Sequence, residues 1–475
     1  MYKNAKRLGE ENINKLLFSF SIPAIIGALV NSFYALIDRV FVGQFVGKEA
    51  FAGVGITFPI SLVLMAFGML IGIGTTARVS IKLGEQKKDE AEQILGNAFT
   101  LQLIFSFVLT SVCLFFLDDL LYLFGASAEI LPYAKEFISI ILLAAVFQFV
   151  GFGLNGIIAA EGNPRLSMLT MILNAGINIV LLMLFIKVLK WGVAGSALAT
   201  LIAQGVSAVW VLGFLRSKKS MLKLRLKNMA LKKEIILGIF SIGMSPFAMQ
   251  ISAGLVMAVL NRRLAQYGGD VAIGAMNAIF GTTIFMVMPL IGISQGAQPI
   301  IGYNYGARLY KRVKKTYTAA ILVATIHAVT VFILIQSFPH FFIQMFSGDA
   351  EIVAIGTHGI RIYTLLLPVI GFQIISAHFF LAIGKAIKSL MMNMLRQVII
   401  LIPMLIILPP FFDLDGIWMS VPISDLTAAI LTAIFVIIEI KRLDEAHAII
   451  CAQQEIPDLS CAENLPEAEA SEFVP

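Results

Sequence analysis

The stretch from Leu16 to Val46 reads LLFSFSIPAIIGALVNSFYALIDRVFVGQFV, and its only charged members are the neighbours Asp38 and Arg39. An apolar run of this length exceeds the roughly 20 residues that a helix needs to cross the hydrocarbon core of a bilayer. A charge at bilayer depth costs on the order of 3 kcal/mol or more, so such groups face a bundle interior or a water-filled cavity. On the residues alone Asp38 has two readings: an interfacial partner of Arg39, or a protonatable or ion-binding group in a cavity. The apolar flank VFVGQFV that follows the pair places Asp38 below the interface and favours the second.

Composition extends this reading to the whole chain. Only 13% of the residues are charged, against roughly a quarter in soluble domains, and 59% are hydrophobic, with 36 Phe and 20 Met. These values describe an all-α polytopic membrane protein. Met1 to Lys15 is polar and the first apolar run is too long for a signal-peptide core, so no cleavable leader is expected. No Lys or Arg follows Arg442, whereas eight acids do, which leaves residues 1–442 with a net charge of +14. In a membrane protein such an excess first means basic cytoplasmic loops, and no nucleic-acid partner is expected. Cys113, Cys451 and Cys461 give neither a disulfide framework nor a metal-ligand spacing.

Apolar stretches of spanning length recur about twelve times, centred near Ile26, Leu64, Phe105, Ala144, Ile177, Gly205, Leu255, Phe285, Val329, Leu367, Ile400 and Leu431. With the N-terminus inside, 26 basic residues fall in inward loops and eight in outward ones, so both termini are expected in the cytoplasm.

The chain is also doubled. Leu70-Ile71-Gly72-Ile73 recurs as Leu290-Ile291-Gly292-Ile293, and Phe124 with Ala128-Glu129-Ile130 recurs as Phe346 with Ala350-Glu351-Ile352. Gly162 and Ser167 match Gly384 and Ser389, and Pro23 matches Pro246, all at offsets of 220 to 223. The expected organisation is an N-terminal six-helix lobe (1–216), a cytoplasmic linker (217–233), a C-terminal six-helix lobe (234–442) and an acidic tail (443–475). An even number of crossings per half relates the two lobes by an axis along the membrane normal. The linker SKKSMLKLRLKN predicts an amphipathic surface helix with Met221, Leu222, Leu224 and Leu226 on the membrane. The tail, rich in acids, prolines and small residues, predicts a solvated, mostly disordered end.

Further polar residues lie within the spans. Asn155 follows Gly151 and Gly153 in the fourth, Asn174 and Asn178 share one face of the fifth, and Thr200 lies in the sixth. Such groups can serve helix packing alone; together with Asp38 they supply the oxygens of a proton relay or of an Na⁺ site at Asp38 and Asn178. The second half has no equivalent acid in its first span and offers Gln250, Asn261, Asn277, Gln295, Gln298 and Arg396. Asp425 in the last span is a second intramembrane carboxylate, for which Arg396 is the natural partner. Pro23 and Pro246 each remove a backbone hydrogen bond early in their helix, giving a kink or a hinge. His327, His358 and His378 show no mutual metal-ligand spacing, and no metal or cofactor is expected.

LIDRVFVGQFVG (Leu36 to Gly47), QGAQPIIGYNYGA (Gln295 to Ala307), AIGKAIKSL (Ala382 to Leu390) and LRQVIILIP (Leu395 to Pro403) resemble the multidrug and toxic-compound extrusion (MATE) family, in its MepA-like and DinF-like bacterial branch. The likeness spans about residues 12 to 440. It implies a V-shaped pair of six-helix lobes that export drugs by alternating access in exchange for H⁺ or Na⁺. By the same resemblance Asp38 matches the first-helix carboxylate, Pro23 the bending proline, and Asn155, Asn178 and Thr200 polar members of the N-lobe cation site. The chain departs from the family at Ile177 to Met183, INIVLLM, where LNIVLDP is usual, so Leu182 replaces a second acid. Proton exchange needs one carboxylate and Na⁺ several well-placed oxygens, and H⁺ is therefore the favoured coupling ion. Phe- and Met-rich interiors suit lipophilic cations, and a monomer in the inner (cell) membrane is expected.

A lipid-linked saccharide flippase of the same superfamily would favour a cationic central cavity, for which only Arg396 stands ready. A membrane-embedded enzyme would need convergent catalytic groups, and none is apparent. A channel would show pore rings or filter loops.

Overall fold

The computed structural model describes residues 2–453, and no strand occurs among them. A short α1 (Tyr2–Glu10) leads into α2 (Ile13–Phe45), whose start is capped by Asn12 accepting the Asn14 N–H. Then come α3 (Lys48–Ile56), α4 (Phe58–Gly84), α5 (Lys88–Phe115), α6 (Leu117–Leu123) and α7 (Leu131–Ala160). Helix α8 (Pro164–Leu182) passes into a π-wound turn, Met183–Val188, before α9 (Gly192–Arg216) closes the first half. The second half comprises α10 (Lys233–Gly306), α11 (Tyr310–Ser337), α12 (Pro339–Gln344), α13 (Ala350–Tyr363), α14 (Leu367–Ala382) and α15 (Ala386–Met394). A second π-wound stretch, Leu395–Leu401, leads into α16 (Ile402–Ile407) and α17 (Pro409–Gln453).

Ten helical segments among the described residues are long and apolar enough to cross a membrane. Helix α10 is two such spans joined at Gly269, whose φ of 61° and ψ of −157° only glycine adopts readily. Helices α13 and α14 form one further span bent by 56°. Counted this way, the described residues make the twelve crossings that the apolar pattern predicts.

Burial is concentrated within each half and continues across the seam between them. One large core runs from Leu260 to Leu443 around Trp418, Phe379 and Phe380, joined by Leu17. Clusters around Leu64 and Phe149 and around Val42 and Leu182 lie in the first half, while the one around Ile94, Leu154 and Val211 also takes in Ile239, Ile300 and Tyr303 of α10. The outward faces are apolar too: Phe107, Val180, Val209 and Leu322 are exposed. Such a surface belongs in lipid, where every backbone group must be satisfied within a helix.

The halves meet along α4 and α10, at glycines without which the backbones could not approach so closely. A Cβ on Gly243 would stand 1.7 Å from the Leu70 carbonyl oxygen, and one on Gly84 2.0 Å from that of Tyr303. Near the N-terminus, Arg312 of α11 donates to the carbonyls of Leu8 (3.1 Å) and Glu11 (2.6 Å), and buried Asn304 donates to Leu8 as well.

Two sequence expectations are corrected. Residues 217–232 do not form an amphipathic surface helix; only a 3-10 turn, Leu226–Asn228, forms there. Met221 and Leu222 are buried in the first half's core, because the buried Glu161 carboxylate pulls that segment inward. It accepts hydrogen bonds from Ser220 Oγ (2.8 Å) and from the Met221 and Leu222 N–H groups (both 3.0 Å). Burial pushes the Glu161 carboxyl up, and these donors offset part of the shift. Asn97 holds the far end of the segment through the carbonyls of Asn228 and Ala230 and the N–H of Lys232. The second correction concerns the tail: α17 continues through Leu443 to Gln453, with Lys314 paired to Asp444 at 2.8 Å. The rest of the expected disordered tail, 454–475, lies outside the described residues.

Candidate cation-coupling site

Helix α2 carries Asp38 to the face of α9. Ser196 Oγ donates to Asp38 Oδ1 at 2.5 Å, while Arg39 turns away and lies over the Phe58 ring, 5.2 Å from its centroid. Asp38 thus has a hydroxyl, and not Arg39, as its hydrogen-bond partner. One turn further along α9, Thr200 Oγ1 accepts the Asn178 Nδ2 amide at 3.0 Å. Residues four apart on a helix lie on one face about 5–6 Å apart, so Asp38 and Asn178 dock on adjacent turns of α9. The carbonyl oxygens of Asn178 and of Asn174, one turn earlier on α8, are buried without a partner.

Leu182 occupies the position where the family pattern has its second acid, and it is fully buried among Val42, Phe185, Ala197 and Ala199. Hydrocarbon therefore closes this end of the cluster.

Asn155 stands apart from this group. Its amide donates to the Ser167 carbonyl at 3.1 Å. It also lines a cavity of about 110 Å³ between the halves, with Pro23, Met171, Gln298, Pro299 and His378. Pro23 thus sits where α2 borders the space between the lobes, and Asn155 is a neighbour of the proline rather than of the carboxylate. Gln250 reaches across the halves to Met65 Sδ at 3.9 Å. The aromatic pairs Phe33–Phe285 and Phe67–Phe247 cross the same boundary, with centroids 5.2 and 5.0 Å apart.

In the second half, Arg396 Nε donates to Asp425 Oδ1 at 2.6 Å. Asp425 is 2% exposed and Arg396 31%. The histidines serve locally: His327 meets the Met286 carbonyl, His378 that of Ile374, and His358 pairs with Asp415 at 2.8 Å. No group of three or more His, Cys, Asp or Glu residues suited to a metal ion occurs among the described residues. Sequence reasoning missed Ser196; its only signal is its place four residues before Thr200.

Twelve membrane-spanning helices in two repeats, with an inter-lobe cavity and a carboxylate inside the bundle, define a multi-pass membrane carrier. A sequence profile of the MatE family matches residues 23–184 and again 246–407, one match in each half. The chain belongs to the MatE family. A protein of Staphylococcus haemolyticus (strain JCSC1435) named multidrug export protein MepA is 28% identical over 444 residues, covering 93% of this chain and 97% of that one. Its namesake in Staphylococcus aureus (strain MSSA476) is 27% identical over 431 residues, covering 90% and 94%. A solved structure, described as the outward-facing conformation of a multidrug resistance MATE family transporter of the MOP superfamily, matches with a TM-score of 0.88 at 26% identity. The match covers 93% of this chain and 99% of that one. A MOP superfamily transporter from Pyrococcus furiosus, also with a TM-score of 0.88 and 26% identity, covers 93% and 98%.

Proposed function

We propose that this protein is a multidrug efflux transporter that exports lipophilic cations in exchange for protons, with Asp38 as the exchanging group. The observation that carries the coupling reading is the contrast between its two intramembrane carboxylates. Asp425 is held by a guanidinium, whereas Asp38 meets a neutral hydroxyl, so Asp38 is the acid whose charge is free to change. Its protonation from outside would release the drug, and its deprotonation towards the cytoplasm would allow the next to load. The cross-lobe aromatic pairs and the methionines Met65, Met168 and Met171 offer adaptable apolar surface to flat cations. The protein would act as a monomer in the cell (inner) membrane with both termini cytoplasmic, the orientation favoured by its basic loops.

A second reading rests on one observation. The unpartnered carbonyl oxygens of Asn174 and Asn178 are ligands of the kind Na⁺ takes, and would make Na⁺ the coupling ion at Asp38.

Purified protein in proteoliposomes, supplied with a fluorescent lipophilic cation, separates the two. Transport driven by a pH gradient alone and lost in Asp38→Asn is the expected result. Transport driven only by an Na⁺ gradient would transfer the role to the Asn174 and Asn178 oxygens. Unchanged transport by Asp38→Asn would remove Asp38 from the mechanism, and no transport under either gradient would favour flipping of a lipid-linked saccharide.

A further inference from the structure

The repeat relates the surroundings of the two intramembrane acids but not the acids themselves. The step of 222 that relates Gly162 and Ser167 to Gly384 and Ser389 carries Asn174 to Arg396. On the next helix Gly192-Val193 and Ser196 correspond to Gly416-Ile417 and Ser420, a step of 224 that carries Thr200 to Ser424, beside Asp425. Asp38 itself falls on Asn261, by the step of 223 that relates Pro23 to Pro246. The π-wound turns Met183–Val188 and Leu395–Leu401 occur in the corresponding helices.

The two halves therefore arrange similar groups differently. In the first, a carboxylate arrives from the opening helix and meets a neutral hydroxyl of the sixth, which one turn further on receives an amide of the fifth. In the second, the opening helix has Asn261 in place of the acid, the helix corresponding to the fifth brings a guanidinium, and that corresponding to the sixth brings the carboxylate. The pair is well anchored: Ser424 Oγ donates to the Arg396 carbonyl at 2.6 Å, and the Gln373 amide donates to the Asp425 carbonyl. Tyr363 of α13 is the other titratable group within electrostatic range of both charges. Yet Asp425 Oδ2 and Gln373 Oε1 are buried without a partner. Both are acceptors, the inventory of a site that takes cations.

We propose that the second half retains a monocation site at Asp425 and that Arg396 fills it as a tethered, permanent occupant. A guanidinium stays charged at any physiological pH, and its planar fork suits a carboxylate. While it is in place, Asp425 takes neither a proton nor a free cation. Once it is removed, the buried carboxylate must take one or the other, because an unpaired buried charge is strongly disfavoured. The inference does not rest on Asp38 being the coupling group.

The test is made on the full chain in detergent, in an Asp38→Asn background, so that Asp38 cannot contribute. Proton uptake on acidification through the neutral range is measured in weakly buffered solution free of alkali cations, so that a proton is the one occupant available. Asp38→Asn/Arg396→Leu is expected to bind one proton more than Asp38→Asn, and adding Asp425→Asn is expected to abolish the gain. Guanidinium chloride should suppress that uptake, and equimolar urea, its neutral isostere, should not. Arg396→Lys should gain no proton. Should the leucine variant fail to fold, Arg396→Gln, which keeps a donor towards Asp425 Oδ1, serves the same measurement. No extra proton in either variant, an extra proton that survives Asp425→Asn, or an Asp425-dependent proton already present in Asp38→Asn would each overturn the proposal. Uptake suppressed equally by urea would overturn the cation character of the site.

Discussion

Thr200 receives the Asn178 amide one helical turn beyond the point where Ser196 meets Asp38. Two helices that begin far apart in the chain, α2 and α8, are thereby indexed against a single face of α9. Movement of α9 by a fraction of a turn would disturb both contacts together.

Ser196→Ala removes the recorded donor to Asp38. Loss of a hydrogen bond to a charged group costs about 1.5–3 kcal/mol, so transport of a fluorescent cation into proteoliposomes should slow by roughly tenfold, the factor that 1.4 kcal/mol represents. Ser196→Thr keeps the hydroxyl and should restore most of the rate.

Gly243→Ala tests the seam between the halves. The added methyl would meet the Leu70 carbonyl oxygen at 1.7 Å, and overpacking of this kind costs about 1–3 kcal/mol. Its apparent melting temperature in detergent should fall. Gly213→Ala, in α9 with nothing within 4 Å of the new Cβ, should instead raise it slightly.

Glu161→Ala would leave the N–H groups of Met221 and Leu222 without their acceptor and the Ser220 hydroxyl with the Leu222 carbonyl alone. A loss of about 3 kcal/mol is expected, with Glu161→Gln intermediate because it keeps one carbonyl oxygen. Hydrogen exchange at the Met221 and Leu222 amides reads the effect directly, rising by orders of magnitude in the alanine variant.

Arg312→Gln should free the segment around Leu8 and Glu11 from α11. Limited trypsin digestion at Arg7 and Lys15 is expected to accelerate, with the remaining span pattern unchanged. Unaltered digestion would mean that Asn304 holds the segment alone.

Much of this was legible in the sequence because polar groups in apolar helices stand out: Asp38, Asn178, Thr200, Arg396 and Asp425 are all visible against hydrocarbon. The crossings follow from run length and the repeat from fixed offsets. What stayed hidden depends on contacts distant in the chain. Ser196 meets Asp38 across 158 positions, and a serine in a helix is unremarked until its partner is known. The stretch from Met221 to Leu224 carries the same apolar residues whether it lies on a bilayer or is drawn into a core by Glu161, and its composition does not separate the two. Asn155 shares the polarity of the coupling group but is turned by its helix towards Pro23.

The inward pull of Glu161 and Asn97 on residues 220–232 gives the connection between the halves an unexpected character. It is covalently continuous with the second half but seated on the first, as a bound peptide is seated on its receptor. A polypeptide divided between Lys218 and Lys219 would present that peptide as the leading end of its second fragment. The two fragments, made together, would carry their own docking tag and find each other.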